Sequence, residues 1–168
     1  MARIYSFEPI ENNNAEVLIL GSMPGIASLE ANQYYAHTQN SFWRIISEHI
    51  KIDPASPYEA RTQALKSARI ALWDVLQSCT REGSLDAMIT RDTLVANDFQ
   101  TFFSTHKSIT HVFFNGAKAE SFYKRHVLPS IDNGSIIHLR LPSTSPANAA
   151  MSFEKKLSAW RVILKEDL

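Results

Sequence analysis

The sequence predicts an α/β chain, a three-layer sandwich with a central, mainly parallel four-stranded sheet flanked by helices. Three observations predict it. Four short runs, Val17–Leu20, Ile70–Trp73, His111–Phe114 and Ile136–Leu141, stay apolar without the alternation of a half-exposed strand, as central parallel strands covered on both faces do. Segments with helical spacing lie between them, and that alternation builds parallel sheets through right-handed crossovers. With 168 residues the chain is long enough for one domain with a real core and short for two, so residues 1–168 read as a single domain.

The first strand runs into Gly21-Ser22-Met23-Pro24-Gly25, a tight turn in which two glycines and a proline constrain the backbone. A polar loop with Tyr34, Tyr35, His37 and Asn40 follows. Asn40 reads as the N-cap of a helix whose buried stripe is Phe42, Ile45, Ile46 and His49 or Ile50. A second helical segment, Ser56–Leu65, leads to the second strand, Ile70–Trp73. Asp98–Phe103 is helical, with Phe99, Phe102 and Phe103 on it, and precedes the third strand. Lys118–His126 is the next helix. After the strand Ile136–Leu141, the last helix begins near Ser152 and buries Leu157, Trp160 and Leu164. Four loops at strand ends, Gly21–Asn40, Asp74–Asp86, Asn115–Lys118 and Pro142–Asn148, are where chemistry would collect, because ligands of open α/β sheets bind outside the carboxyl ends of the strands.

Composition sets limits on that chemistry. Lys+Arg and Asp+Glu both count 17, a net charge of zero, which argues against a long nonspecific polyanion groove. A nucleic-acid enzyme with this balance should contact few phosphates and show a shallow salt dependence. The single cysteine, Cys79, excludes an internal disulfide and any multi-cysteine zinc or iron–sulfur site, and reads as a small apolar residue. No apolar run reaches the length of a membrane span and no signal-peptide core is present, so a soluble, cytoplasmic protein is expected.

GSMPG lacks the spacing and the terminal Lys-Ser/Thr of a P-loop, and it does not match GxGxxG. Its weight comes from the later loop Leu141-Pro142-Ser143-Thr144-Ser145-Pro146-Ala147-Asn148, where two prolines bracket three small hydroxyl residues. Such a rigid loop can wedge into a groove, or be no more than a turn into the last helix.

Together the two loops resemble the uracil-DNA glycosylase superfamily. Gly21, Pro24, Gly25, Tyr35, His37, Asn40, Phe42 and Trp43 meet the G-x-N-P-G … H-x-x-N-x-F-W pattern of its mismatch-specific members. The closer resemblance is to the hypoxanthine (deoxyinosine) DNA glycosylase branch, through GSMPG, YYAH-x-x-N-x-FW, Leu72–Leu76, Cys79, Arg81, Gly83–Asp86, Phe113–Gly116 and Leu141–Asn148. It spans roughly Ala15 to Leu164. Two positions depart from the uracil enzymes. Met23 stands where they carry the water-positioning Asn or Asp, and Leu141 where the best-known of them carry a His that stabilises the departing base.

The resemblance implies a monofunctional DNA glycosylase that flips a deaminated base, chiefly hypoxanthine, and hydrolyses its N-glycosidic bond with neither cofactor nor metal, acting on DNA as a monomer. Asn40 is then the catalytic amide. It could be a simple N-cap instead, and both roles hold only if the amide oxygen caps while the nitrogen faces the pocket. Tyr35 is the stacking platform and Tyr34 is structural. His37 could be a donor or a structural hydrogen-bonding group. Ser22, Met23 and Gly25 offer backbone N–H groups to base or sugar, and Ser28 a hydroxyl to a phosphate. Asn115 could read a base edge, or only form an Asn-Gly turn. Ser84 and Asp86 would line the pocket, with Asp86 alternatively capping the following short helix. Ser143, Thr144 and Ser145 would grip flanking phosphates and fill the vacated stack, with Lys118, Lys124, Arg125 and Arg140 nearby for the backbone. Monofunctional follows from the absence of an evident Schiff-base lysine in the named loops, for which Lys118 is the only nearby candidate. Uracil or mixed-base removal, a damaged-base binding module without cleavage, and a cofactor-binding α/β domain are the competing expectations.

Overall fold

Val17–Gly21 is buried at every residue because it is flanked by strands on both sides and covered on both faces. In the computed structural model, which describes residues 2–132 and 134–164, the elements begin with β1 (Arg3–Tyr5), β2 (Val17–Gly21), α1 (Ile26–Ala31), α2 (Phe42–Ile50) and α3 (Tyr58–Ser67). They continue with β3 (Ile70–Asp74), β4 (Leu76–Thr80), β5 (Val95–Ala96), α4 (Phe99–Thr105) and β6 (His111–Asn115). The chain then forms α5 (Ala117–His126), β7 (Ile137–Leu141) and α6 (Phe153–Trp160).

The central sheet has four strands in the order β3-β2-β6-β7, all parallel. Alternate residues feed two cores, as the period of a strand requires. Leu18, Leu20, Trp73, Val112 and Phe114 pack with Phe99 and Phe102 of α4 and Tyr123 of α5. Val17, Ile19, Leu72 and Phe113 pack with Phe42, Ile45 and Ile46 of α2, Leu65 of α3 and Trp160 of α6. This is the layered sandwich that the apolar runs predict.

Several expectations are corrected. The run Ile136–Leu141 is an edge strand rather than a central one, and Ile137 and Leu139 are 56% and 42% exposed. Among the described residues it pairs with β6 alone, and only Leu141 at its end is buried. The other edge, β3, is fully buried because Ile10 bridges Leu72 through a pair of 2.9 Å backbone hydrogen bonds, which closes that edge to further pairing. A second, antiparallel sheet, β1-β4-β5, was not anticipated. The loop after β2 also contains a six-residue helix, α1. Helix α2 starts one residue later than expected, with Ser41 at its boundary, but the side chain that accepts from its first turn is still that of Asn40. Cys79 is fully buried, as a small apolar residue would be.

Register decides where the chemistry lies. Gly21 pairs with Asp74, Leu20 with Phe114, and Asn115 with Leu141, so the four strands end in a single row. The connections leave β2 toward β3 on one side and reach β6 and β7 on the other. The crevice therefore opens beyond the carboxyl ends of β2 and β6.

Candidate active site

A cavity of about 330 Å³ occupies that crevice, a volume at the lower end for small-molecule sites. All the strand-end loops reach it: Ser22 to Ser28 from the first, Ser84 to Asp86 from the second, Asn115 from the third and Ser143 to Ala147 from the fourth.

The first loop is stitched in place before any side chain acts. The Gly21 and Ser22 carbonyls accept from the Val75 and Leu76 N–H groups at 2.8 and 3.2 Å. Buried Arg81 donates from Nη2 to the Pro24 carbonyl at 2.6 Å and from Nε to the Gly83 carbonyl at 2.8 Å. Ser84 Oγ accepts from the Ile26 N–H at 2.8 Å. The GSMPG turn and the GSLD segment thus form one unit. Met23 packs into the core while lining the cavity. Ser22 Oγ donates to Asp86 at 2.6 Å, so Asp86 reaches back to the first loop and does not cap the turn Asp86–Met88 that it opens.

Asn40 lines the cavity, and its Oδ1 accepts from the Phe42 N–H at 2.9 Å. The oxygen braces the start of α2, which leaves Nδ2, a donor, as its free polar end. Tyr35 adopts a left-handed backbone (φ 54°) and lays its ring on Phe42, with centroids 4.2 Å apart and planes 24° apart. Burial, followed by the Asp74 carboxyl, pushes the Tyr35 hydroxyl well above the usual phenol range, with the Asn115 amide opposing. Tyr34 is structural: its hydroxyl donates to the Glu8 carbonyl at 2.8 Å and its carbonyl accepts from Trp43 Nε1 at 2.8 Å. His37 sits exposed at the rim, where Nδ1 accepts from the Gln39 N–H at 3.1 Å.

Three assignments change. Ser28 is buried and its Oγ accepts from the Ala36 N–H at 3.1 Å, so it braces the loop instead of facing a phosphate. Thr144 is 1% exposed and is the centre of a latch. Asn115 donates to Thr144 Oγ1 at 3.0 Å and accepts from its N–H at 2.9 Å, while the Thr144 carbonyl accepts from the Ser41 N–H and hydroxyl. Asn115 lines the cavity, but both ends of its amide already serve that latch. Gly116, at φ 92°, lets Ser143 approach: a Cβ there would stand 3.0 Å from the Ser143 Cβ. Pro142 is held by Trp160 Nε1, which donates to its carbonyl at 2.9 Å. Ser143 and Ser145 spend their oxygens on local turns and retain their hydroxyl protons as donors. Lys118 lies outside the main cavity, beside Arg91, Arg125 and His126 in a smaller one. Lys124 and Arg140 both face Glu120 at 3.6 Å.

Sequence reasoning missed Asp74. It ends β3 on the cavity wall, is 3% exposed, and its Oδ2 has no hydrogen-bond partner among the described residues. Burial, followed by the nearby Asp86 charge, pushes its carboxyl up to about 7, against the pull of Arg81. Burial likewise raises Asp86, against the Ser22 hydrogen bond, Arg81 and Lys118. An ionisable residue closing an otherwise apolar strand beside the crevice was the available signal.

The Asp74 shift has a consequence for stability. A carboxyl that titrates near 7 folded and near 3.9 unfolded stabilises the fold fully below the lower value and loses that contribution as pH rises through the upper one. Asp74→Asn should therefore be more stable than the wild type by about 4 kcal/mol at about pH 8.5 and by only about 1.5 kcal/mol at about pH 5. Urea unfolding at both pH values checks this. A gain of the same size at both would remove Asp74 as its source.

Among the described residues no helix is long and apolar enough to cross a membrane, and no group of three or more His, Cys, Asp or Glu side chains is placed to hold a metal ion.

The chain matches the Uracil DNA glycosylase superfamily over residues 9–168. It is 38% identical over 160 residues to the hypoxanthine DNA glycosylase of Methanosarcina barkeri (strain Fusaro / DSM 804), covering 95% of this chain and 96% of that protein. It is 32% identical over 160 residues to the hypoxanthine DNA glycosylase of Methanosarcina acetivorans, with the same coverage of 95% and 96%. A solution NMR structure from M. acetivorans, a candidate uracil DNA glycosylase, superposes with a TM-score of 0.81 at 32% identity, covering 98% of both chains.

Proposed function

The chain belongs to the uracil DNA glycosylase superfamily and is a monofunctional DNA glycosylase, hydrolysing N-glycosyl bonds, and we propose that its substrate base is a deaminated purine, chiefly hypoxanthine. The observation that carries this reading is the orientation of Asn40. Its oxygen is committed to the Phe42 N–H, so the cavity receives a donor, and Met23 supplies no acceptor that would position a water. Such a site acts on the leaving base. Hypoxanthine presents O6 and N7 as acceptors, and a purine departs more readily when they are hydrogen-bonded. The names of the two Methanosarcina relatives support the same base.

The base is flipped from the stack into the cavity. The Tyr35 ring, held from behind by Phe42, stacks on it, and base–aromatic stacking contributes about 1–3 kcal/mol. Asn40 Nδ2 bonds an acceptor on the purine. The backbone amides of Ser22, Met23 and Gly25 lie along the base and sugar. The latched loop presents Ser143 and Ser145 to the flanking phosphates, and Lys118 adds one charge beside the cavity. The protein works as a monomer in the cytoplasm, where it meets DNA.

Single-turnover cleavage of oligonucleotides bearing hypoxanthine, xanthine or uracil, followed by alkali to reveal abasic sites, tests the reading. Hypoxanthine should be released fastest. Faster release of uracil would overturn the purine assignment, and tight binding of all three without cleavage would make the protein a base-binding module.

A further inference from the structure

Asp74 is the one acidic group of the cavity that the preceding roles leave unused. Its neighbours do not explain it structurally. The Asp86 carboxylate is engaged by Ser22, Arg81 directs two donors to the Pro24 and Gly83 carbonyls, and Lys118 stands behind Asp86. The Tyr34 and Tyr35 hydroxyls complete the groups that feel its charge. A buried carboxyl with an oxygen left unpartnered costs stability and persists where the site uses it. Room for it is built into the backbone: a Cβ on Gly21 would stand 2.5 Å from Asp74 Oδ1 and 2.7 Å from Tyr35 Oη. The absence of that one carbon leaves Asp74 and the stacking tyrosine on the same cavity floor.

We propose that Asp74 is the general acid of the reaction and protonates N7 of the departing purine. The inference rests on the purine reading above. As the C1′–N9 bond breaks, its electron pair passes into the purine and the Asp74 proton moves to N7, so the base leaves neutral. Water forms the new C1′–O bond with the oxocarbenium sugar, and the proton it loses restores the carboxyl. The net change is addition of one water across the glycosidic bond. A general acid must carry its proton at working pH, and burial beside Asp86 keeps Asp74 protonated up to near neutrality. Met23 holds no side-chain amide to position the water and the Asn40 oxygen is committed to the Phe42 N–H, so leaving-group protonation is the lever that remains.

The test measures single-turnover release from oligonucleotides bearing 2′-deoxyinosine and 7-deaza-2′-deoxyinosine across about pH 5.5 to 9, for the wild type and Asp74→Asn. The wild-type rate on deoxyinosine should be flat in acid and fall above about pH 7. Asp74→Asn should be slower by about 10²–10⁴-fold and lose that dependence. The 7-deaza substrate, which has no N7 to protonate, should be cleaved slowly and equally by both proteins. Binding to an oligonucleotide with a non-cleavable 2′-fluoro-arabino deoxyinosine confirms that the variant is folded. If the variant does not bind, the wild-type pH profile and the 7-deaza comparison decide alone. A wild-type rate that rises through neutrality, an Asp74→Asn rate within threefold of wild type, or an equal loss on both substrates would overturn the assignment. Failure of the wild type to cleave deoxyinosine at all would instead remove the purine reading itself.

Discussion

Asn40→Ala should lower the single-turnover rate of hypoxanthine release by about 10²–10³-fold, the loss typical of removing one donor aimed at developing charge. The same substitution also removes the bond from the Phe42 N–H to Oδ1, which costs about 1 kcal/mol as a lost helix cap. The two effects can be separated. Asn40→Asp keeps an oxygen on the Phe42 N–H and places a negative charge at the helix start, so the fold should be as stable as the wild type. It removes the Nδ2 donor, so its activity should be as low as that of Asn40→Ala. Single-turnover rates and urea midpoints of both variants are the measurement. An Asn40→Asp enzyme with near wild-type activity would mean that the side chain works as an acceptor on water.

Gly21→Ala should be comparably damaging although it adds only a methyl group. The new carbon would press on Asp74 Oδ1 at 2.5 Å and Tyr35 Oη at 2.7 Å, inside any normal contact. Strand β2 cannot retreat, because it is paired with β3 on one side and β6 on the other. The two side chains must move, and both lie on the cavity floor. A loss of at least about 100-fold in rate is expected from displaced groups, with about 1–3 kcal/mol of stability from overpacking. Gly25→Ala is the comparison, since its Cβ would meet only Ser84, Oγ at 3.3 Å and Cβ at 3.4 Å, and it should retain most activity. Equal rates for the two variants would show that the floor of the cavity tolerates displacement.

The sheet and the loops that matter were legible because their signals are local. Val17–Leu20, Ile70–Trp73 and His111–Phe114 are apolar runs, and each does become a buried strand within a residue of its expected end. The second sheet left no such trace: β4 is Leu-Gln-Ser-Cys-Thr, and it is a strand because β1 and β5 pair with it. The polar residues of the site were legible by type and not by partner. Asn40 uses its oxygen on the Phe42 N–H, which leaves its nitrogen as the free polar end. Thr144 and Asn115 looked like surface and base contacts, yet they bond each other across 29 positions of sequence. Ser41 meets Thr144 across 103 positions. No period or motif encodes such distances. Asp74 was hidden for a related reason, since its altered acidity comes from burial, and then from Asp86, which only the folded chain supplies.

The latch through Thr144 also bears on how quickly damage can be found. A loop that had to order itself against DNA would lose conformational freedom at every encounter, at undamaged bases as much as damaged ones. Here Pro142 is held by Trp160, and Thr144 by Asn115 and Ser41, before any DNA arrives. The freedom is given up once, during folding. On the proposed reading, the loop meets each base pair already ordered, with no ordering cost to repeat.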